Sequence, residues 1–557
     1  MKKKLSTLLA LCLLLAPLLP FKAQAAGETV KRIGLSYLYN NTDTRVAAAN
    51  LRNKSGWGYN LGYYDAQRQF VTLGWTTESK ISVLITQNQY LTSSGGYSYT
   101  DAGRGTVGCF HVQLPGTYAD FSSAQAAAET VDGGFVAWVK GTYYVRAGSY
   151  NRRAAAQEAA DAVGGTLGET SGYGYSVVPA GSTKILFQFD ADQDGESGAF
   201  GVLPLAGEGV KPVTSYNENL SCYGGFRFER IGGGESTVVN MIELEDYVKC
   251  VVPYEMSTSW PLEALKAQAV CARTYAGGSR QPHAAQHFDL CPTTDCQAYK
   301  GAAGVGDSTN QAVDETAGQM LYYNGKRIDA LYYSSNGGAS EDNKNVNGYD
   351  HPYLKGKIDP YEEYAVQFMS KSQLSYYRWT KTWTAADLQA RLNGLGYTCA
   401  EISNITTKLS PTGNVIAVTV TDSNGKSNTF ERGRIRSVFN LNSIRFSITS
   451  SGGAQAGGYA IAGAANAPSI GGLYAISGDG TVGALGEESY VITQSGVQSL
   501  IPAQSQNGGG GEKVFAFNGT GWGHNVGMSQ WGAYAMAKQG YGYRDILNFY
   551  YTDITIQ

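Results

Sequence analysis

Residues 251–276 read VVPYEMSTSWPLEALKAQAVCARTYA, and the fold turns on where its helix begins. Pro261 suits a helix's first turn, where a missing N–H costs nothing, and Glu263 in that turn favours the helix dipole. Leu262, Leu265, Ala269, Ala272 and Ala276 recur at spacings of three and four, the buried stripe of an amphipathic helix. The small residues along it permit close packing. Lys266 and Arg273 stand seven apart, so two turns bring both onto one face. They read either as solvated surface groups or as the cationic wall of a site. Glu255 falls just ahead of this helix, between the apolar VVP run and a Met-Ser-Thr-Ser turn. An acid near a helix start is ordinary electrostatics, but VVP, Met256 and Trp260 would surround this one with apolar and aromatic groups. Such surroundings leave a carboxylic acid able to hold and donate a proton near neutral pH, as a glycosidase acid must.

Working outward, the chain has 557 residues, enough for several cores, with 43% hydrophobic and 16% charged residues and a net charge of −3. Nothing in that balance points to nucleic acid. Abundant Gly (71) and Tyr (39) suit a strand-rich, loop-rich extracellular protein. At the N-terminus, MKKK precedes the apolar LSTLLALCLLLAPLLPF and then KAQAAG, an A-x-A-like cleavage site near Ala25. Pro17 and Pro20 interrupt the apolar run, which is short for a membrane span. Residues 1–25 therefore read as a cleaved signal peptide and the protein as exported to the cell wall side, or membrane-anchored if the signal is retained. Setting Cys12 aside leaves seven cysteines, an odd number that excludes a fully paired disulfide framework within one chain.

Alternating runs over residues 26–100 (KRIGLSYLY, FVTLGW, KISVLIT) argue short strands. A different texture follows over 105–180. FHVQLPGTYADFSSAQAAAETV at 110–131 is echoed by YYVRAGSYNRRAAAQEAADAV at 143–163, each a strand, a turn and an Ala-rich helix, with GGFVAWV between them. This pattern reads as an inserted β-α-β-β-α-β module, and its second half resembles the SPOR domains that bind peptide-free peptidoglycan strands. DADQDGESG at 190–198 lacks the Glu that closes an EF-hand and reads as a solvated acidic turn. Residues 181–450 mix strand and helix, 451–513 form a Gly/Ala/Ser-rich insertion, and 514–557 return from a Gly-rich loop to a helix. The fold class implied is α+β, a strand-rich mixed domain carrying a catalytic helix and groove.

Three long stretches carry a more specific resemblance. LEDYVKCVVPYEMSTSWPLEALKAQAVCARTYA, LYYSSNGGASEDNKNVNGYDHPYLKGKID at 331–359 and GTGWGHNVGMSQWGAYAMAKQGYGYRDILNFYY at 519–551 are similar, in order, to the SpoIID/LytB family of stage II sporulation proteins. The resemblance implies a lytic transglycosylase that cuts peptidoglycan glycan strands already stripped of stem peptides by an N-acetylmuramoyl-L-alanine amidase of the SpoIIP kind. It implies a sporulation and engulfment setting, with Glu255 as catalytic acid and Lys266 and Arg273 as basic residues of the groove. It moves Ser334, His524 and Gln530, in loops that otherwise read as tight turns, toward groove-lining roles. The LytB members imply a rival from another class, a non-catalytic wall-binding amidase enhancer; a hydrolase producing reducing ends is a third reading. Cys250 and Asn525 depart from the family pattern, each standing where Gly is usual.

HAAQHFDLCPTTDC at 283–296 holds two His and two Cys in fourteen residues. These are free or disulfide-bonded thiols beside surface histidines, or ligands for zinc, which takes thiolate and imidazole at short spacings. Family resemblance favours zinc, with Cys291 and Cys296 as ligands and His287, ahead of His283, as the third.

Overall fold

Strands whose residues alternate between two faces need an apolar partner on at least one of them. Here two antiparallel-rich sheets supply it to each other. The computed structural model describes residues 29–278, 281–451 and 512–557, together with the backbone of four short strands between 474 and 499. Residues 1–25, read from the sequence as a signal peptide, and most of 451–513, read as an insertion, lie outside the described residues. The described residues fall into two compact units, the first up to Ala330 with 555–557 and the second from Leu331 to Ile554. The fold is α+β, as the sequence implies, and the two units divide after Ala330.

In the first unit, Val30–Ser36, Thr237–Glu243, Gly225–Glu229, Phe200–Pro204, Tyr59–Tyr64 and Phe70–Thr76 lie side by side in that order. A ten-stranded sheet faces them. The core between the sheets includes Tyr59, Leu61, Phe200 and Phe228 from one and Val83, Tyr175, Val177, Phe187 and Phe189 from the other. Ring contacts bridge the layers, with Phe200 centroids 5.2 Å from Phe189 and 5.8 Å from Tyr175. Offset and tilted aromatic pairs of this kind add to simple area burial.

Within the ten-stranded sheet, residues 110–169 run strand, α1 (Phe121–Ala128), strand, strand, α2 (Arg153–Ala162), strand. Counting the strands in chain order, they lie fourth, first, third, second across the sheet. Asp120 caps α1 by accepting from Ser123 N–H, which in turn returns its hydroxyl. The segment is not a free-standing body. Its Gly134–Val139 strand pairs in parallel with Phe187–Asp190, the first of six further strands in the same sheet. Asp190, expected in a solvated acidic turn, is instead buried at the end of that strand. Its carboxylate accepts from Ser171 N–H and Oγ, both at 2.6 Å.

The second unit builds a separate core from Trp379, Leu388, Ile402, Val418, Phe430, Phe439 and Phe517. Its three-stranded sheet runs Arg378–Thr384, Val514–Thr520, Phe446–Ser451. The insertion leaves and re-enters between the last two, which are hydrogen-bonded neighbours, so a long excursion there leaves the sheet intact. Among the described residues no helix is long and apolar enough to cross a membrane.

Candidate active site

Strand Thr237–Glu243 passes directly into helix α3 (Leu244–Glu255), with Glu245 and Asp246 in its first turn favouring the dipole. Leu244, Tyr247, Val248, Val251 and Val252 form its buried stripe. Glu255, four residues after Val251 and seven after Val248, continues that stripe. The acid therefore closes one helix rather than preceding the next. Pro253 lies inside the last turn, and the helix stops at Met256, whose N–H bonds Val252 O at 2.9 Å. A six-residue link, 256–261, then leads to α4 (Leu262–Gly277).

Helix α4 is buried on nearly every side, packed against α3 and α5 (Asp307–Asp314). Lys266 and Arg273 do share a face, but it is occupied. Arg273 is fully buried. Its Nε and Nη2 donate to the two oxygens of Glu245 at 2.8 and 2.7 Å, and Nη1 and Nη2 reach the carbonyls of Gln319 and Val313, each at 3.2 Å. It clamps α3, α4 and the turn after α5, and with no exposed surface it cannot line a groove. Lys266 Nζ bonds Glu263 at 2.7 Å and Glu315 at 2.6 Å. Burial works against its charge, but the two carboxylates outweigh it and hold its pKa above the ordinary lysine value.

What meets Glu255 is the loop that follows α4. Ala298 N–H donates to Glu255 Oε1 at 2.9 Å. Each neighbour of Ala298 is anchored. Gln297 accepts from Tyr247 Oη at 3.0 Å and donates to Ala272 O at 3.4 Å; Tyr299 Oη donates to Asn240 at 2.6 Å and stacks on Tyr247 with centroids 5.5 Å apart. A main-chain donor held from both sides thus positions Glu255 Oε1. Sequence reasoning missed Ala298, Gln297 and Tyr247, whose roles rest on contacts between segments far apart in the chain.

Just before Gln297, ligand atoms of His283, Cys291, Asp295 and Cys296 lie within 4.8 Å of one another. His283 replaces the expected His287. The one-turn helix Ala284–Gln286 reverses the chain, and His287, in the left-handed conformation at φ 61°, turns away to pair through Nδ1 with the buried Glu229. His283 is 1% exposed, and among the described residues neither ring nitrogen has a hydrogen-bond partner. A buried imidazole with both nitrogens unsatisfied is rare and costly unless something else occupies them. The hydrogen bond from Cys296, aided by Thr293, draws the Cys291 thiol down to about 5 against its burial. The segment is seated firmly. Phe288 lies where Gly34 would carry a Cβ, 2.5 Å from its ring, and Asp289 takes Arg32 at 2.9 Å and Arg68 at 2.7 Å.

Ser334, His524 and Gln530 belong to the second unit. Ser334 O accepts Trp531 N–H at 3.0 Å, and Gln530 opens helix α6 (Gln530–Lys538), buried. His524 staples its loop. Nε2 donates to Tyr332 O at 3.0 Å while Nδ1 accepts from Val526 N–H at 3.1 Å, and burial with nearby Arg436 lowers its pKa to about 4. It is neutral near neutral pH. Asn525 takes φ 62°, the conformation a glycine would adopt, and its amide bonds Asn336 O at 3.0 Å.

The SNGG loop has an unforeseen holder. Glu362, fully buried, accepts from Asn336 N–H at 2.7 Å, Gly337 N–H and Ser529 Oγ at 2.6 Å. Burial, reinforced by Asp359, raises its pKa from 4.5 to about 8. Between those values the unfolded chain ionises while the folded one keeps the proton, so stability falls as pH rises across that window and levels off above it. Urea midpoints at about pH 5 and about pH 8 are expected to differ more in the wild type than in Glu362→Gln, which cannot titrate.

A family model described as stage II sporulation protein, SpoIID, matches residues 232–323, the span holding α3, α4, the four-residue cluster and α5. The chain belongs to the SpoIID family. An uncharacterized protein of Brachyspira hyodysenteriae is 30% identical over 325 residues, covering 57% of this chain and 68% of that protein. An amidase enhancer of Bacillus subtilis is 32% identical over 325 residues, 56% of this chain but 40% of its own length. Stage II sporulation protein D of Bacillus subtilis is 28% identical over 328 residues, 56% of this chain and 74% of that protein. The SpoIID match thus coincides with the segment that places Glu255.

Proposed function

We propose that this SpoIID-family chain is an exported lytic transglycosylase acting on peptidoglycan glycan strands stripped of their stem peptides. The observation that carries the reading is Glu255, a carboxyl group at a helix end whose Oε1 is held by Ala298 N–H. Protonated Glu255 would donate to the oxygen joining N-acetylmuramic acid to N-acetylglucosamine. The carboxylate left behind would then take the proton from the muramic C6 hydroxyl as that oxygen closes onto C1. One glycosidic bond breaks, one forms, and the proton returns to Glu255. No water enters, so the second carboxylate of a hydrolase is not needed.

His283, Cys291 and Cys296, with Asp295 as a fourth donor, form a set that fits zinc. A zinc ion there would neutralise the thiolates and tie down the loop that presents Ala298 to Glu255. Zinc content measured on purified protein is expected near one per chain, lost in His283→Ala and kept in His287→Ala. Retention in the first or loss in the second would reverse the ligand assignment.

The enzyme would work after an amidase of the SpoIIP kind has removed the peptides, and the 110–169 segment would add a second hold on bare glycan, raising its local concentration. The amidase-enhancer relative favours one rival, a non-catalytic wall-binding protein that stimulates an amidase. Incubation with stripped strands separates them, since cleavage lost in Glu255→Gln supports the enzyme and binding without cleavage supports the rival.

A further inference from the structure

The outer face of the second unit's three-stranded sheet carries a groove of about 570 Å³. Two cross-strand rows line it. Thr380, Asn518 and Ser447 stand in register across the three strands, a band of hydroxyl and amide groups. Beside them, Thr520 pairs with Arg378 on one side, and its N–H bonds Arg445 O at 3.0 Å on the other. An arginine therefore stands at each end of the row, with main chains about 10 Å apart by strand spacing.

Arg445 is the unusual member. It is half-buried, and burial lowers its pKa. Its Nη1 donates to Thr412 O at 3.0 Å and Asn414 Oδ1 at 3.3 Å. Among the described residues no carboxylate lies within ion-pair distance of it, and neither Nε nor Nη2 makes a hydrogen bond to any of them. That leaves one edge of a guanidinium, the geometry suited to a bidentate carboxylate. Arg378 is exposed and only 3.6 Å from Glu363, a weak surface pair that leaves it able to turn inward. At the end of the same strand Trp522 and Tyr376, 41% and 53% exposed, meet edge to face at 5.0 Å. Trp522 is held on Ser335 through N–H to Oγ at 2.9 Å. Rigid exposed rings beside a polar groove suit the apolar face of a pyranose.

We propose that this groove binds an acidic saccharide, its arginines taking the free lactyl carboxylate of N-acetylmuramic acid while Trp522 and Tyr376 stack on the sugar. The proposal rests on the reading that the chain acts on stripped glycan. Only removal of the stem peptide exposes that carboxylate; while the peptide is attached, the same carbon is a neutral amide. The groove would thus be the feature by which bare strands are told from peptide-bearing ones.

Calorimetric titration of the full chain with N-acetylglucosaminyl-N-acetylmuramic acid, as the free acid and as its lactyl amide, tests this. The acid is expected to bind about tenfold more tightly than the amide, the worth of one charge-assisted pair. Arg445→Gln should bring the two within about twofold, and the exposed Arg378→Gln, which threatens no packing, should shrink the preference several-fold. Glu255→Gln should keep it, so that loss of cleavage and loss of the groove are read separately. Equal binding of acid and amide by the wild type, or a full preference in both arginine variants, would overturn the proposal. So would displacement of the disaccharide by equimolar glycerol phosphate, which would mark a general anion site. Glu255-dependent cleavage without acid preference would remove the groove and leave the transglycosylase reading standing.

Discussion

Glu255→Gln is expected to lower strand cleavage by about a hundredfold to ten-thousandfold, the usual contribution of a positioned general acid, while the protein keeps its fold. The substitution is conservative in shape. The amide oxygen can still accept Ala298 N–H, as Glu255 Oε1 does at 2.9 Å, so α3 and the 291–299 loop stay joined. What it removes is a proton that can be given to the leaving oxygen and taken back from the C6 hydroxyl. Cleavage rate on stripped strands and thermal midpoint, measured on the same preparation, separate these effects. A large loss of rate with an unchanged midpoint is the expected pair of results, and a rate within about twofold of wild type would remove Glu255 from the chemistry.

Arg273→Ala is expected to destabilise the first unit by about 3 kcal/mol, the low end of the cost of breaking a buried ion pair. The low end applies because Arg273 is fully buried while Glu245 keeps 38% of its side chain in water. The change strands the Glu245 carboxylate at the start of α3 and frees the carbonyls of Val313 and Gln319 from a partner. A groove-lining arginine would behave differently, raising the substrate concentration needed for half-maximal rate with the urea midpoint unchanged. Chemical denaturation of the variant distinguishes the two, and a midpoint equal to wild type would contradict the clamp.

The start of α4 was legible because Pro261 and the three-and-four spacing of Leu265, Ala269 and Ala272 are local signals. The preceding helix was hidden by Pro253, which reads as a break but falls in a last turn whose end is secured by Met256 N–H. Glu255 was found for its apolar neighbours, while its main-chain partner lies 43 residues away and leaves no periodic trace. A helical wheel put Lys266 and Arg273 on one face but could not show that Glu245 and Glu315 already fill it. Spacing alone could not choose between His283 and His287, because the turn at 284–286 decides which ring faces the thiols. The strand–helix rhythm of 110–169 was readable; its parallel pairing of Val136 with Phe187, a contact between distant segments, was not. Glu362 gave no signal because a buried acid and a surface acid are the same letter.

The most direct test is the mass of the products released from stripped glycan strands by wild type and by Glu255→Gln. Transglycosylation should yield fragments one water lighter than hydrolysis would, ending in 1,6-anhydro-N-acetylmuramic acid, and these should vanish in the variant. Fragments carrying reducing ends, or anhydro fragments at an undiminished rate from Glu255→Gln, would contradict it.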